Sequence, residues 1–177
     1  IKLMCKQKIL IFLFLVIFIY GCTNANIANE LNQTDTARNP ALKDINLPEG
    51  FEIDIFASEL GKSSFANPGP SKGVRFMEFH NGVLFASIPN SGAIVALPDR
   101  NKDGKADEVV KVLDGLNRPH GIAFLDEHIY IANEDSVLKA RLKDGLTADS
   151  STIEHIVDLP QGGHWTRTIR IKDNNLY

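Results

Sequence analysis

Cysteine is nearly absent from this sequence of 177 residues: there are two, Cys5 and Cys22, and none in the 155 residues that follow. A disulfide framework and a thiolate-ligated metal site are thereby excluded from everything beyond position 22. Basic charge is scarce as well. Lys2, Lys6 and Lys8 precede the first acid, so from position 22 onward 16 basic residues face 22 acidic ones. That balance argues against nucleic-acid binding. The apolar run Ile9 to Tyr20 is twelve residues long, too short for a bilayer span, which needs about 20. What remains is a composition of 44% hydrophobic and 23% charged residues, that of an ordinary globular chain with one domain as the natural expectation. Its chemistry must rest on His, Asp, Arg and backbone.

Residues 1–21 read as a lipoprotein signal peptide: lysines, the apolar run, then the small residue Gly21 before Cys22. The sequence Ile19-Tyr20-Gly21-Cys22 resembles a bacterial lipobox. The resemblance implies that Cys22 is lipidated and anchors the chain in the bacterial cell envelope, facing the periplasm or at the cell surface. The other readings are a secreted protein with an incidental thiol, or an uncleaved short anchor. Residues 22–44 read as a flexible tether, because Thr23 to Asn39 is polar, rich in Asn and Thr, and without periodicity. Residues 45–177 are the expected folded domain. The chain begins with Ile and stops at Leu176-Tyr177, part-way through what reads as a strand, so an incomplete reading frame is expected.

Self-similarity organises the rest. Val83 to Ser87, Ile129 to Asn133 and Leu176-Tyr177 recur at spacings of 46 and 47 residues, each after a polar turn. A period in the forties with short strands is the signature of propeller blades. The first unit reads as strands Val74–Phe79, Val83–Ile88, Ala93–Pro98 and Glu108–Leu113. The second reads as Gly121–Leu125, Ile129–Asn133, Val137–Leu142 and Ile153–Leu159, and a third opens with Thr168–Ile171. The expected fold class is therefore all-β, an incomplete N-terminal portion of about two blades of a β-propeller, with a small β-sandwich as the competing fold. Phe51–Phe56 alternates like a strand and precedes the first unit, as an N-terminal strand that completes a last blade would. Blades with a single neighbour leave apolar faces in water, so the chain alone is expected to be unstable or aggregation-prone.

In a propeller the innermost strand of each blade lines the channel, and the loop entering it sits at the channel mouth. Two such loops carry functional groups: Leu116-Asn117-Arg118-Pro119-His120-Gly121 and Gln161-Gly162-Gly163-His164-Trp165-Thr166-Arg167. A neutral imidazole is well matched to proton abstraction near neutral pH, and two glycines before it let the backbone approach a flat ligand. His164 is the candidate base, and the planar fork of Arg167 suits an anionic cofactor or substrate. Both loops are equally readable as structural turns, with Pro119 and Gly121 shaping one and His120 capping it. Asp99, Asn101, Asp103 and Asp107 place oxygen ligands around the turn at Gly104, the chemistry of calcium loops. The twelfth position falls on Val110 where an EF-hand has Glu, so a solvated Asp/Asn/Gly hairpin tip is the alternative.

The Gly50-Phe51 segment, Asp99 to Asp107, Gly115 to Gly121 and Gly162 to Arg167, in this order and at blade spacing, resemble the N-terminal part of the glucose/sorbosone dehydrogenase family, most nearly its sorbosone dehydrogenase branch, over residues 45–177. The resemblance implies a six-bladed propeller that oxidises a sugar, polyol or aldehyde with pyrroloquinoline quinone (PQQ), with calcium beside the quinone and an electron acceptor as partner. It implies that His164 takes the substrate's hydroxyl proton. Arg167 matches an arginine after that histidine with a spacing one residue different from the glucose-oxidising branch. The cofactor-contacting glutamine of that branch would fall near Leu116 and Asn117, where this sequence has none, and His120 stands in its place. Two other functions keep the same fold: a non-catalytic propeller that binds a protein or glycan, and a membrane-associated dehydrogenase with a haem domain downstream.

Overall fold

The computed structural model describes residues 42, 44–58, 60 and 73–177. The expected signal peptide, Cys22 and nearly all of the tether lie outside the described residues. The chain divides into two units, Ile1–Asp54 and Ile55–Tyr177. In the first, the described residues form turns closed by Ile45 N–H on the Leu42 carbonyl at 3.4 Å and Phe51 N–H on the Pro48 carbonyl at 3.2 Å.

The second unit is all-β. Strands β1 (Phe76–His80), β2 (Val83–Ile88), β3 (Ala93–Leu97) and β4 (Val110–Leu113) form an antiparallel sheet in the order β1-β2-β3-β4. Strands β5 (Ile122–Leu125), β6 (His128–Ala132), β7 (Ser136–Lys143) and β9 (Glu154–Asp158) repeat that meander, and the short β8 (Thr147–Ala148) pairs with the far end of β7. A last hairpin joins β10 (Ile171–Lys172) to β11 (Asn175–Leu176). The repeat extends to detail: the third and fourth strands of each sheet slip register at the same place, Ile94/Val95 in one and Val137/Leu138 in the other. Two-residue turns close two of the hairpins, Asn81-Gly82 and Asp173-Asn174, with positive φ at both positions. That geometry matches the twist of the strands it joins and favours Asn, Asp and Gly.

Strand alternation sorts the side chains into three layers. Phe85, Ile94, Ala96, Val112 and Leu113 from the first sheet meet Ile122, Ile129, Ile131, Ala140 and Leu142 from the second in one buried cluster. The opposite face of the first sheet gathers Ala86, Ile88, Val95 and Leu97, with Phe56, Ala57 and Leu60 packed on it. Its register mates Met77 and Phe79 share that face and remain 58% and 66% exposed. On the far side of the second sheet, Ala123, Ala132, Val137 and Ile169 are covered by Ile171 and Leu176 of the last hairpin. A four-stranded sheet and a four-stranded meander with the short β8 added, stacked face to face in chain order with the start of a third beyond them, are consecutive propeller blades rather than the two halves of a sandwich.

Phe51–Phe56 corrects the sequence reading. It is not a strand: its residues pair with no strand among the described residues, and Phe51 is 68% exposed. A strand exists only where a ladder partner satisfies its backbone, and here the bonds include Phe51 N–H on the Pro48 carbonyl at 3.2 Å and Ala106 N–H on the Phe56 carbonyl at 2.8 Å, neither part of a ladder. The third unit also begins later than expected, at Ile171.

Candidate functional site

In an up-and-down meander the connections alternate between the two ends of the sheet. The β2–β3 and β6–β7 turns therefore lie at one end with the two loops that link the sheets, and the β1–β2, β3–β4 and β5–β6 turns lie at the other. Backbone bonds tie the first group together. Leu116 N–H donates to the Gly92 carbonyl at 2.9 Å and Glu134 N–H to that of Asn117 at 3.0 Å. His120 N–H reaches Ala132 O at 2.8 Å, and Gly121 N–H reaches Arg167 O at 2.9 Å. These contacts need glycine at two close approaches. A Cβ on Gly92 would lie 2.5 Å from the Leu116 carbonyl oxygen, and one on Gly121 2.7 Å from that of Arg167.

Within this end, the two loops singled out from sequence come together. His120 is half-buried, its Nδ1 3.0 Å from the Arg167 carbonyl oxygen, and its ring stands 5.8 Å from both Phe76 and Trp165. Arg118 stacks its guanidinium over the Trp165 ring at 4.3 Å and pairs with Glu134 at 2.9 Å. It holds φ at 47°, a left-handed conformation that costs a non-glycine residue about 1 kcal/mol; the ion pair, the stack and the buried Pro119 after it fix that conformation. Asn117 Nδ2 donates to Asp135 Oδ2 at 2.8 Å. That bond, chiefly, holds the Asp135 carboxyl below its ordinary pKa, with Ser136 as a second donor. Beneath, Asn133 is buried and its Oδ1 has no donor among the described residues.

His164 is exposed, with Nδ1 3.1 Å from Thr166 Oγ1. In the tautomer whose Nδ1–H donates to that hydroxyl, Nε2 carries the free lone pair, as a base requires. Gly162 and Gly163 both hold positive φ, which turns the chain back just before it. Arg167 is placed differently from expectation. Its guanidinium folds onto its own loop, donating to the carbonyls of Pro160 at 2.7 Å, Thr166 at 3.1 Å, and His164. Its donors cap backbone oxygens, so as folded it is a loop brace, and His120 likewise has Nδ1 engaged.

The loop from Asp99 to Asp107 joins β3 to β4, at the end away from His164. Asp99 accepts from Asp103 N–H at 3.2 Å and Gly104 N–H at 3.0 Å, and Asn101 Oδ1 from Asp103 N–H at 3.1 Å. Asp103 accepts from Lys105 N–H at 2.9 Å, and Asp107 from Arg100 N–H at 2.7 Å. The oxygens expected to bind calcium thus satisfy the turn's own N–H groups. Among the described residues no group of three or more His, Cys, Asp or Glu is arranged to hold a metal ion. At that same end a cavity of about 500 Å³ is lined by His80, Asn81, Asp126, Glu127, Arg141 and Asp149 among others. Its charges answer one another, Arg141 with Glu127 at 2.8 Å and Lys143 with Asp149 at 3.5 Å. The loops carrying His120 and His164 meet at the opposite end, which makes that end the better candidate.

The family model of a domain of unknown function, DUF7133, matches residues 37–153. The chain belongs to this family. Within the DUF7133 match lie the whole first blade and most of the second, with the loop carrying Arg118 and His120; the His164 loop follows it. No curated protein matches the chain. Among solved structures, the calcium structure of the Trichoderma reesei carbohydrate-active enzyme of family AA12 is similar with a TM-score of 0.56 and 17% identity over 70% of this chain and 30% of that one. The iodide structure of the same enzyme family gives 0.49 and 19% over 56% and 27%. The DUF7133 chain thus spans less than a third of the structures it matches. The first of these likenesses shows a shared β-propeller-like fold.

Proposed function

We propose that this DUF7133 chain forms the first blades of a propeller oxidoreductase that oxidises a sugar, polyol or aldehyde, with His164 as the base that takes the substrate's hydroxyl proton. The observation that carries the reading is the presentation of His164: exposed, on an interblade loop, with Nδ1 beside Thr166 Oγ1. The motif order that resembles glucose/sorbosone dehydrogenases supports it, as does the fold shared with a structure named as a carbohydrate-active enzyme. The proposed electron acceptor is PQQ with calcium in a six-bladed ring. The expected holders are His120, whose Nδ1 lies beside the Arg167 carbonyl, and Arg167, three of whose donors cap backbone oxygens of its own loop; among the described residues no group of three or more His, Cys, Asp or Glu is arranged to hold calcium. In the same reading Cys22 is lipidated, and the protein sits at the bacterial cell envelope. Turnover of a sugar and polyol panel by full-length protein tests it. His164→Ala is expected to lose about 10² or more in rate, the size of a positioned general base, while ligand binding persists. Unchanged turnover removes His164 from the chemistry, and no turnover in the wild type favours a binding propeller.

A further inference from the structure

The loop that carries His164 is closed on itself. Arg167 ties it together by donating to the carbonyls of Pro160 at 2.7 Å and Thr166 at 3.1 Å, and the side chain of His164 meets Thr166 of the same loop at 3.1 Å. These bonds set the loop's shape and leave its seat on the blades to other contacts. One lies at Arg167, whose carbonyl accepts from Gly121 N–H at 2.9 Å and stands 3.0 Å from His120 Nδ1. A single attachment is a pivot, and Gly162 and Gly163, both at positive φ, give the backbone before His164 little stiffness of its own. The second attachment is Trp165, the neighbour of His164 in sequence. The Arg118 guanidinium lies over its ring at 4.3 Å, nearer than Arg75 at 5.6 Å or the His120 ring at 5.8 Å.

Arg118 is itself held from the second blade. Its Nη1 donates to Glu134 Oε2 at 2.9 Å, and beside that pair Glu134 N–H donates to the Asn117 carbonyl at 3.0 Å. A planar guanidinium can lie on an indole while its in-plane N–H groups bond a carboxylate, which the compact charge of lysine cannot match. Trp165 is half-buried, so the contact is screened less than an open surface pair. We propose that Arg118, held by Glu134 from the β6–β7 turn, is a positioning residue that seats the His164 loop through Trp165 and so sets where the imidazole stands. For its effect on rate the inference rests on the reading of His164 as the base; the seating of the loop is independent of that reading. A base displaced by about 1 Å loses on the order of 10²-fold in rate, whereas a stack and an exposed ion pair contribute little to overall stability. A positioning role and a merely structural one therefore predict different outcomes.

Hydroxyl-radical footprinting of full-length protein, read at Trp165 by peptide mass spectrometry, compares wild type with Arg118→Gln, Arg118→Lys and Glu134→Gln. Arg141→Gln, which breaks the ion pair with Glu127 at the opposite end of the sheets, is the control. The expected result is that Trp165 oxidation rises about threefold or more in Arg118→Gln, rises less in Arg118→Lys, which keeps charge without the plane, and is unchanged in Arg141→Gln. In the same proteins kcat for sugar oxidation falls about tenfold or more in Arg118→Gln with KM retained, and Arg141→Gln keeps the wild-type rate. Arg118→Gln combined with Trp165→Leu is no slower than Trp165→Leu alone, because both act through one contact. Equal Trp165 oxidation in wild type and Arg118→Gln overturns the proposal, as does a wild-type kcat in a protein whose Trp165 is freed. If circular dichroism shows that Arg118→Gln does not fold, Glu134→Gln decides, through a rise at Trp165 of about twofold or more. A wild type that oxidises nothing refutes the oxidoreductase reading, and the footprint then decides the seating of the loop by itself.

Discussion

At Gly121 the demand on a single residue is steric. The nearest atoms to an added Cβ are the Arg167 carbonyl oxygen at 2.7 Å and Ile169 N at 2.9 Å, both backbone, so neither can swing aside. Gly121→Ala is expected to lower stability by about 2 kcal/mol or more, checked by denaturant unfolding, and to disturb the His164 loop that hangs from the same carbonyl. His80 makes a different kind of demand. Its ring stacks on Phe124 at 4.3 Å and 10°, with Phe85 at 6.4 Å, and partial burial lowers its pKa from the ordinary 6.5. The folded state therefore binds fewer protons than the unfolded one just below pH 6.5, and stability falls as the pH drops from there through the depressed folded value. His80→Phe is expected to flatten the fall of Tm between pH 7 and pH 5; an unaltered slope would assign that fall to other groups. Arg118→Ala removes a half-exposed ion pair and a stack, an expected loss of about 1 kcal/mol.

At the scale of elements, the interblade cluster decides whether the two sheets stay joined. Phe85 and Ile131 face each other's sheets with essentially no exposure. Phe85→Ala is expected to cost about 3–5 kcal/mol through lost burial and a cavity, measured by urea unfolding. Strand positions were legible in the sequence because the signals are local: β-branched runs, polar turns and a 46-residue period put β2, β3, β5 and β6 within a residue or two of where they lie. Phe51–Phe56 has the same local pattern and is no strand, since alternation carries no information about the presence of a ladder partner. The site was legible by halves. The loops at His120 and His164 converge, as the position of the interblade connections implied, whereas the bracing role of Arg167 depends on where three carbonyls point.

Taken whole, the second unit buries one layer between blades and leaves another partly uncovered. Met77 and Phe79 are more than half exposed on the outer face of the first sheet, where another blade of a ring would pack. Charged substitutions there, such as Phe79→Glu, are expected to raise the solubility of the isolated 177-residue chain, measured by light scattering at matched concentration, and to destabilise a closed ring in which that face is buried. The candidate site also depends on the whole, because its groups come from two places in the chain: Arg118 and His120 between blades, and His164 and Trp165 after the second. The most direct test of the central claim, that these loops form an oxidising site with His164 as its base, is the steady-state rate of sugar oxidation by full-length protein with PQQ and calcium supplied. Comparing wild type with His164→Ala, a fall of about 10² or more in kcat with substrate affinity retained is the predicted result, and equal rates in the two proteins would contradict it.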